Sequence, residues 1–384
     1  MNASLSILRS RVIYILVATL LPFCVHAETG VTETKITLGQ SAAFSGPAAQ
    51  LGIQLHAGAK VYFDAINAQG GVHGRRIEIR QLDDKYEADL AAANTKKFVE
   101  SDDIFALFGY VGTPTSNAAL PIFTKANIPF FAPFTGAQSL RDPFNKNIFN
   151  IRASYFDETE HLVDRLLNIG LKNIAVFYQN DAYGKAGLAG VERALKKRDL
   201  TILETATVER NSTDVAAAVA KLLPKKPDAI IQISAYASCA AFVKAMRKEA
   251  YYGQFFNVSF VGSIALADAL GTDGPGTVVS QVVPFPWRQQ ASIVSEYTKA
   301  MNKAGITSLN FSSLEGYIAA KIFVEGLRRA GHGLTREKLI SALESINISN
   351  YDVGGFDVNF SPSNHNGSKY VDMTVIVKDG KFKN

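Results

Sequence analysis

Tryptophan occurs once and cysteine twice in 384 residues, and the scarcity of cysteine narrows the field at once. Cys24 lies inside the leading apolar segment, so a chain that loses this segment keeps Cys239 alone, and one thiol closes no intramolecular disulfide. A chain of this length has core enough to do without one. Cys239 sits in AYASCAAFVKAM among apolar neighbours at helical spacing, the setting of a packing residue rather than a reactive thiol. An excess of one charge is also lacking. The 40 basic residues against 35 acidic ones leave +5, and no Lys/Arg block stands out, so a nucleic-acid partner is not implied. Histidines 56, 73, 161, 332 and 365 are scattered with no pair at ligand spacing, which argues against a zinc site. After residue 27 no apolar run reaches the length of a membrane span.

The first 27 residues read as a segment apart from the fold. Arg9 and Arg11 open it, Val12 to Val25 is apolar, and Val25-His26-Ala27 supplies small residues for a cleavage site. This is the pattern of a cleavable export signal. As a membrane anchor the run is short, and it ends in small residues rather than a basic stop. A lipoprotein would use Cys24, but Pro22-Phe23 is bulky where such a signal needs small residues. Cleavage removes two arginines and no acid, taking +5 to +3. The expectation is an exported protein, soluble outside the cytoplasm.

With 47% hydrophobic and 20% charged residues the remainder is globular in composition. Strand-like and helix-like segments alternate. KITLGQSAAF (35–44) and RIEIRQL (76–82) are strand-like, and Leu51, Leu55, Ala59, Tyr62 and Ile66 fall at helical spacing between them. A helix through 88–100, the apolar run FALFGYV (105–111), a helix from about Thr115 and IPFFAPF (128–134) continue the series. The rhythm restarts with DETEHLVDRLLNIG as a helix and NIAVFYQ as a strand. TILETATV, DAIIQIS and VSFVG are expected strands, with helices over 184–197, 214–223 and 237–250. Such alternation indicates parallel sheets built from βαβ units, and two series indicate two doubly wound lobes. After residue 287 come three helical segments (290–304, 309–330, 335–345), expected to pack back onto the first lobe. A tail follows in which VIVKDGKF turns at Asp379-Gly380 as a hairpin.

In an open parallel sheet, ligands sit beyond the carboxyl ends of the strands. Three such ends in the first series carry suitable chemistry. AAFSGPAAQLG offers Ser45 in a tight turn before a helix. GYVGTPTSNAALPIF places Thr113 as a helix N-cap, Pro114 as first helical residue and a second hydroxyl on Thr115, an arrangement that suits a carboxylate. In FAPFTGA, the residues Phe134, Thr135 and Gly136 expose backbone groups. Each alone is an ordinary turn; three in successive units of one sheet converge on one edge. The second series puts Tyr183 and Tyr236 just beyond apolar strands, where they form walls with a polar tip or simply pack.

Taken in order, AFSGPAAQLG, INAQGGVHGRRIEI with LDD (82–84), FGYVGTPTS, IPFFAPFTGA, NDAYGKAGLAG and SLEGYIAAK give a chain that resembles the periplasmic leucine/isoleucine/valine-binding type of solute-binding protein, which feeds ABC importers. The resemblance spans nearly all of residues 33–384 and implies the α/β fold of a type I periplasmic binding protein. That fold has two doubly wound parallel-sheet lobes joined by a three-crossing hinge, here near 151–153, 281–285 and 350–360. The first lobe is expected over 33–151 plus 284–352, the second over 152–283 plus 353–384. The resemblance also implies that hydroxyl and backbone groups at Thr113 and Gly136 hold a ligand carboxylate. A carbonyl at Phe134 partly holds its ammonium, and Tyr183 and Tyr236 close from the other lobe.

Departures from the family are informative. Its ammonium-binding acid falls at about Ile264, its aromatic wall near AAQLG at Leu51 and another at Phe311 or Ser312. Two cysteines that some relatives join are here Tyr86 and Gly112. An alkyl group cannot compensate a buried ammonium, so an amine-free organic, keto or aromatic acid enters as a candidate beside amino acids, unless Glu315 or Asp157 substitutes. No Walker loop, HExxH, GxSxG or GxGxxG is present. GTDGPG (271–276) has its glycines in the wrong order for a dinucleotide site and reads as a loop. The acids of LDDKYEAD (Asp83, Asp84, Glu87, Asp89) read as solvated strand-end and helix-start charges rather than a cation site. The expectation is therefore a non-enzymatic, monomeric periplasmic binding protein. It carries no cofactor, no metal and no nucleic acid, takes a small carboxylate ligand, and has ABC permease and ATPase subunits as partners. A sensory module of the same fold is the alternative, and a secreted hydrolase with an unrecognised site is a third reading.

Overall fold

The computed structural model describes residues 28–384; the expected leader at 1–27 lies outside the described residues. The first sheet comprises β1 (Lys35–Ala42), β2 (Arg76–Asp83), β3 (Ala106–Phe108), β4 (Phe130–Phe131) and β5 (Ile148–Phe149). Helices α1 (Ala49–Asn67), α2 (Ala88–Glu100) and α3 (Thr113–Lys125) connect its strands. All its strand pairs are parallel, in the order β2-β1-β3-β4-β5. Central β1 is buried on both faces, whereas edge strand β2 alternates between wet and dry sides, as position in a sheet demands.

The chain then enters α4 (Tyr155–Asn168) and a second sheet. Its elements are β6 (Ile174–Gln179), α5 (Ala182–Lys196), β7 (Thr205–Val208), α6 (Ala216–Leu222), β8 (Ala229–Ile233), α7 (Tyr236–Lys248), β9 (Gln254–Asn257), α8 (Ser263–Leu270) and β10 (Val278–Gln281). Next come α9 (Ser292–Lys303), α10 (Phe311–Ala330) and α11 (Arg336–Glu344). Finally β11 (Asp372–Ile376) and β12 (Phe382–Lys383) add an antiparallel edge, giving the order β12-β11-β10-β9-β8-β6-β7. Counted from the start of each series, the parallel strands of both sheets are wound 2-1-3-4-5. Each sheet therefore has a switch point beside its first strand, between β1 and β3 and between β6 and β8. Crevices open at such points.

The late helices join the first sheet because α10 lies backbone-to-backbone on α1. A Cβ at Gly58 would stand 1.7 Å from the Ser313 carbonyl oxygen, and one at Gly316 2.0 Å from that of Leu55. No side chain fits either position. The chain thus passes between sheets after β5, after β10 and after α11. The first and third passages touch, with Asn150 N–H donating to the His365 carbonyl at 2.9 Å and Gly367 N–H to that of Asn150 at 2.7 Å. A capping box opens α4: Ser154 Oγ accepts from Asp157 N at 3.1 Å, and Asp157 Oδ2 accepts from Ser154 N at 3.0 Å.

Several local expectations shift. VSFVG is not a strand: β9 lies just before it at 254–257, and 258–262 form a 3-10 turn ending in Gly262 at φ +80°. Strand β7 occupies only the last four residues of TILETATV, and the two-residue β5 had no sequence signal of its own. Thr113 is the first residue inside α3, with Gly112 as N-cap. The tail hairpin turns through residues 378–380, with Asp379 at φ +64°. Cys239 is fully buried and unbridged. Among the described residues no helix is long and apolar enough to cross a membrane.

Candidate ligand-binding site

The carboxyl ends of β3 and β4 meet at a chain of hydroxyls. Gly112 has φ +101°, and a Cβ there would lie 2.2 Å from the Tyr86 ring, so the ring occupies the space a side chain would need. The turn so formed places Thr113 Oγ1 2.6 Å from Thr135 Oγ1. Thr135 Oγ1 accepts the Ala137 N–H at 3.2 Å and donates to the Tyr155 hydroxyl at 3.2 Å. Proton counting sets the direction. Thr135 uses its proton on Tyr155, so Thr113 donates to Thr135, and the Tyr155 O–H is left as the outward donor. Burial, only partly countered by Arg152, pushes the Tyr155 pKa up to about 12, so the phenol keeps its proton. Tyr155 N–H donates to the Gly136 carbonyl at 2.8 Å, tying the start of α4 to the β4 turn.

The second sheet meets this edge with aromatic rings. Asp181 caps α5 by accepting the Tyr183 N–H at 2.9 Å, which fixes the Tyr183 ring 5.4 Å from Tyr155 and 4.6 Å from Phe260. Phe260, in the turn after β9, lies 5.6 Å from Phe134 and 5.8 Å from Tyr86. The Tyr183 hydroxyl is buried with no hydrogen-bond partner among the described residues. Half-buried Tyr236 begins α7 beside Leu51 and Gly262. Polar bridges also span the two sheets. Gln179 Nε2 donates to the Tyr86 hydroxyl at 3.2 Å, Asn211 Nδ2 donates to Glu87 at 2.7 Å, and Arg210 pairs with Glu87 at 3.4 Å.

Arg152, in the first passage between sheets, lies at the centre with 1% of its surface exposed. Its guanidinium stacks over the Phe134 ring at 4.6 Å, donates through Nη2 to Ser259 Oγ and faces Glu315 Oε1 at 3.4 Å from Nε. That ion pair lacks hydrogen-bond geometry, so Nε and Nη1 have no hydrogen-bond partner among the described residues. Burial works against the charge, but Glu315 and Glu158 more than offset it and hold the Arg152 pKa above its ordinary value. Glu158 Oε2 accepts the Ser259 N–H at 2.7 Å and the Ser280 hydroxyl at 2.6 Å.

Of the residues singled out in the sequence, Thr113, Phe134, Thr135, Gly136 and Tyr183 come together, with Tyr236 at the margin. Ser45 does not join them: it is exposed and its hydroxyl and amide are engaged by Asp83. Thr115 turns its hydroxyl back onto the Val111 and Gly112 carbonyls. The Phe134 carbonyl already accepts the Gly112 N–H at 3.2 Å, and its ring is what Arg152 meets. Ile264 lies in the first turn of α8, half-buried against the hydrophobic core; the residues this region brings to the cluster are Ser259 and Phe260, again without a carboxylate. Asp84 is not a solvated charge but fully buried, accepting from Ser41 Oγ at 2.7 Å and Tyr86 N at 2.9 Å. Arg152, Tyr155, Glu158 and Phe260 escaped sequence reasoning. The one available signal was an arginine set in the apolar stretch IFNIRASY where the chain leaves the first sheet.

The periplasmic binding protein family matches residues 35–381, and the chain belongs to that family, which consists of substrate-binding proteins and not enzymes. Its fold is the type I arrangement of two parallel-sheet lobes. The chain is similar to a Leu/Ile/Val-binding protein homolog of Brucella melitensis, 24% identical over 376 residues that cover 93% of this chain and 92% of that one. Among solved structures it is similar to a possible leucine/isoleucine/valine-binding protein from Rhodopirellula baltica. That match has 33% identity and a TM-score of 0.87 over 93% of this chain and 97% of the other. A substrate-binding periplasmic protein from Ralstonia solanacearum matches with 33% identity and a TM-score of 0.84, over 90% and 99%.

Proposed function

We propose that this protein captures a small carboxylate-bearing ligand, an amino acid or a related organic or aromatic acid, between its lobes in the periplasm. It then delivers the ligand, as a monomer, to the permease and ATPase subunits of an ABC importer. The observation that carries this reading is Arg152, a fully buried guanidinium whose Nε and Nη1 have no hydrogen-bond partner among the described residues. Leaving buried donors unpaired is costly, and a carboxylate is the partner whose geometry matches a guanidinium.

The binding set is Thr113, Phe134, Thr135 and Gly136 on the first lobe, Tyr183, Tyr236 and Phe260 on the second, and Arg152 and Tyr155 between them. A ligand touching both faces binds the closed arrangement better than the open one and shifts the population toward it. The lobes, 33–151 plus 284–352 and 152–283 plus 353–384, move as units about the three passages. The test is a thermal-shift screen of protein stripped of ligand by unfolding and refolding, with leucine, 4-methyl-2-oxopentanoate and benzoate as probes. A ligand of the folded form raises Tm by mass action; no shift with any of the three sinks the carboxylate reading.

A further inference from the structure

With Glu315 ionised, the charges around Arg152 sum to zero. Arg141 and Arg152 supply two positive charges and Glu158 and Glu315 two negative ones, and these are the charged groups that Glu315 faces from the first passage, α4 and the 3-10 turn at 138–140. Arg141 is tied to backbone carbonyls: Nη1 donates to Ala137 at 2.8 Å and Nη2 to Arg152 at 3.0 Å. An incoming carboxylate adds one negative charge among buried side chains, and an uncompensated buried charge is strongly disfavoured.

The two glutamates differ in what holds their charge. Glu158 accepts two short hydrogen bonds through Oε2, which stabilise its ionised form. Glu315 accepts none among the described residues; the Arg152 guanidinium, at 3.4 Å and off hydrogen-bond geometry, offsets its burial in part, with a smaller contribution from Arg141. When a ligand carboxylate takes the Arg152 N–H groups, Glu315 must share its nearest counter-ion with a second anion.

Resting on the carboxylate reading above, we propose that the ligand is an amine-free acid bound by Arg152, and that Glu315 takes up one proton from solvent as it binds. Net charge in the site is then unchanged: one carboxylate enters, one proton follows it, and Glu315 becomes a neutral carboxyl group. An amino acid would instead bring its own ammonium and need no proton. Asp157 Oδ2 is committed to the Ser154 cap and Glu315 faces Arg152. Glu158 Oε1, buried with no hydrogen-bond partner among the described residues, is the acceptor an ammonium would take, so leucine is the probe that decides between the two kinds of ligand. Burial of Glu315, incompletely offset by Arg152, places its pKa at about 7 before binding, so the exchange falls in an accessible range.

The experiment is isothermal titration of the same three probes in phosphate and in Tris at pH 6, 7 and 8. The dependence of the observed heat on the buffer's ionisation heat counts protons taken up. The expected result is binding of benzoate or 4-methyl-2-oxopentanoate with uptake rising toward one proton at pH 8. Kd weakens by up to roughly tenfold per pH unit above 7, and Glu315→Gln binds with no uptake and a flat pH profile. Binding of an amine-free acid without proton uptake, or uptake that survives Glu315→Gln, overturns the inference and leaves the carboxylate reading standing. Binding of leucine alone, without uptake, also overturns it. Failure of all three probes to bind overturns both. The wild-type titration decides the matter even where the variant does not fold.

Discussion

Replacing Glu158 with alanine tests the charge network at its most connected point. Glu158 is fully buried in the first turn of α4 and reaches across to the second sheet, where Ser259 N–H and the Ser280 hydroxyl donate to Oε2 at 2.7 and 2.6 Å. A hydrogen bond to an ionised acceptor contributes about 1.5–3 kcal/mol, and removing one member of a buried charged set costs about 3–5 kcal/mol. The two figures describe the same atoms and do not add. Glu158→Ala is therefore expected to lose about 3–5 kcal/mol, because the Ser259 amide is orphaned and Arg152 loses a counter-charge. Glu158→Gln keeps an oxygen at the acceptor position and loses only the charge, for about 1–2 kcal/mol. Equilibrium urea unfolding followed by circular dichroism measures both, with an unchanged slope showing that stability and not compactness has moved. A loss below about 1 kcal/mol in the alanine variant, or equal losses in the two, refutes the reasoning: the turn after β9 would then be held by something other than this carboxylate.

Thr113→Ala removes the first donor of the hydroxyl chain and is expected to weaken binding of a carboxylate probe by about 1–3 kcal/mol in calorimetry, while Ser45→Ala, outside the cluster, leaves Kd within about twofold. Gly112→Ala meets the Tyr86 ring at 2.2 Å with φ at +101°. Overpacking and backbone strain together should cost about 2–4 kcal/mol in urea unfolding, and a neutral result would show that the ring moves freely. Burial pushes the Asp84 pKa up to about 7 despite its hydrogen bonds to Ser41 and Tyr86. At Asp84 the native state thus holds a proton that the unfolded chain releases between pH 4 and 7, so the contribution of this group to stability rises as pH falls through that window, while His56, whose pKa burial pushes down to about 4, acts in the opposite sense. Asp84→Asn should remove this contribution and make the net slope of stability against pH more positive than in the wild type; an unaltered slope would mean that Asp84 titrates normally.

How much of this was legible depends on the reach of the interaction. Alternating apolar periods were enough to place β1, β2, β6, β8 and the helices between them, because pleat and helical pitch are local. Thr113-Pro114 and the FTGA turn marked the candidate site's first-lobe edge for the same reason: turn chemistry is written in consecutive residues. The late helices joining the first sheet were foreseeable from that sheet's need for cover, though the Gly58–Gly316 contact was not. Local patterns misled where a partner far along the chain decided the outcome. VSFVG has strand composition, but pairing with β8 and β10 is satisfied just upstream. Ser45 looked like a ligand contact until Asp83, 38 residues on, was found holding it.

Sequence alone thus sufficed for the doubly wound fold, which rests on periods and turns within each βαβ unit, and for the family, which rests on short motifs kept in order along the chain. The folded chain added the charge of the site. Arg152, Glu158, Ser259 and Glu315 span more than 160 positions of sequence and meet only because two sheets face each other across three passages. Buried charges interact through space in a medium of low dielectric, and no local pattern encodes which of them end up neighbours.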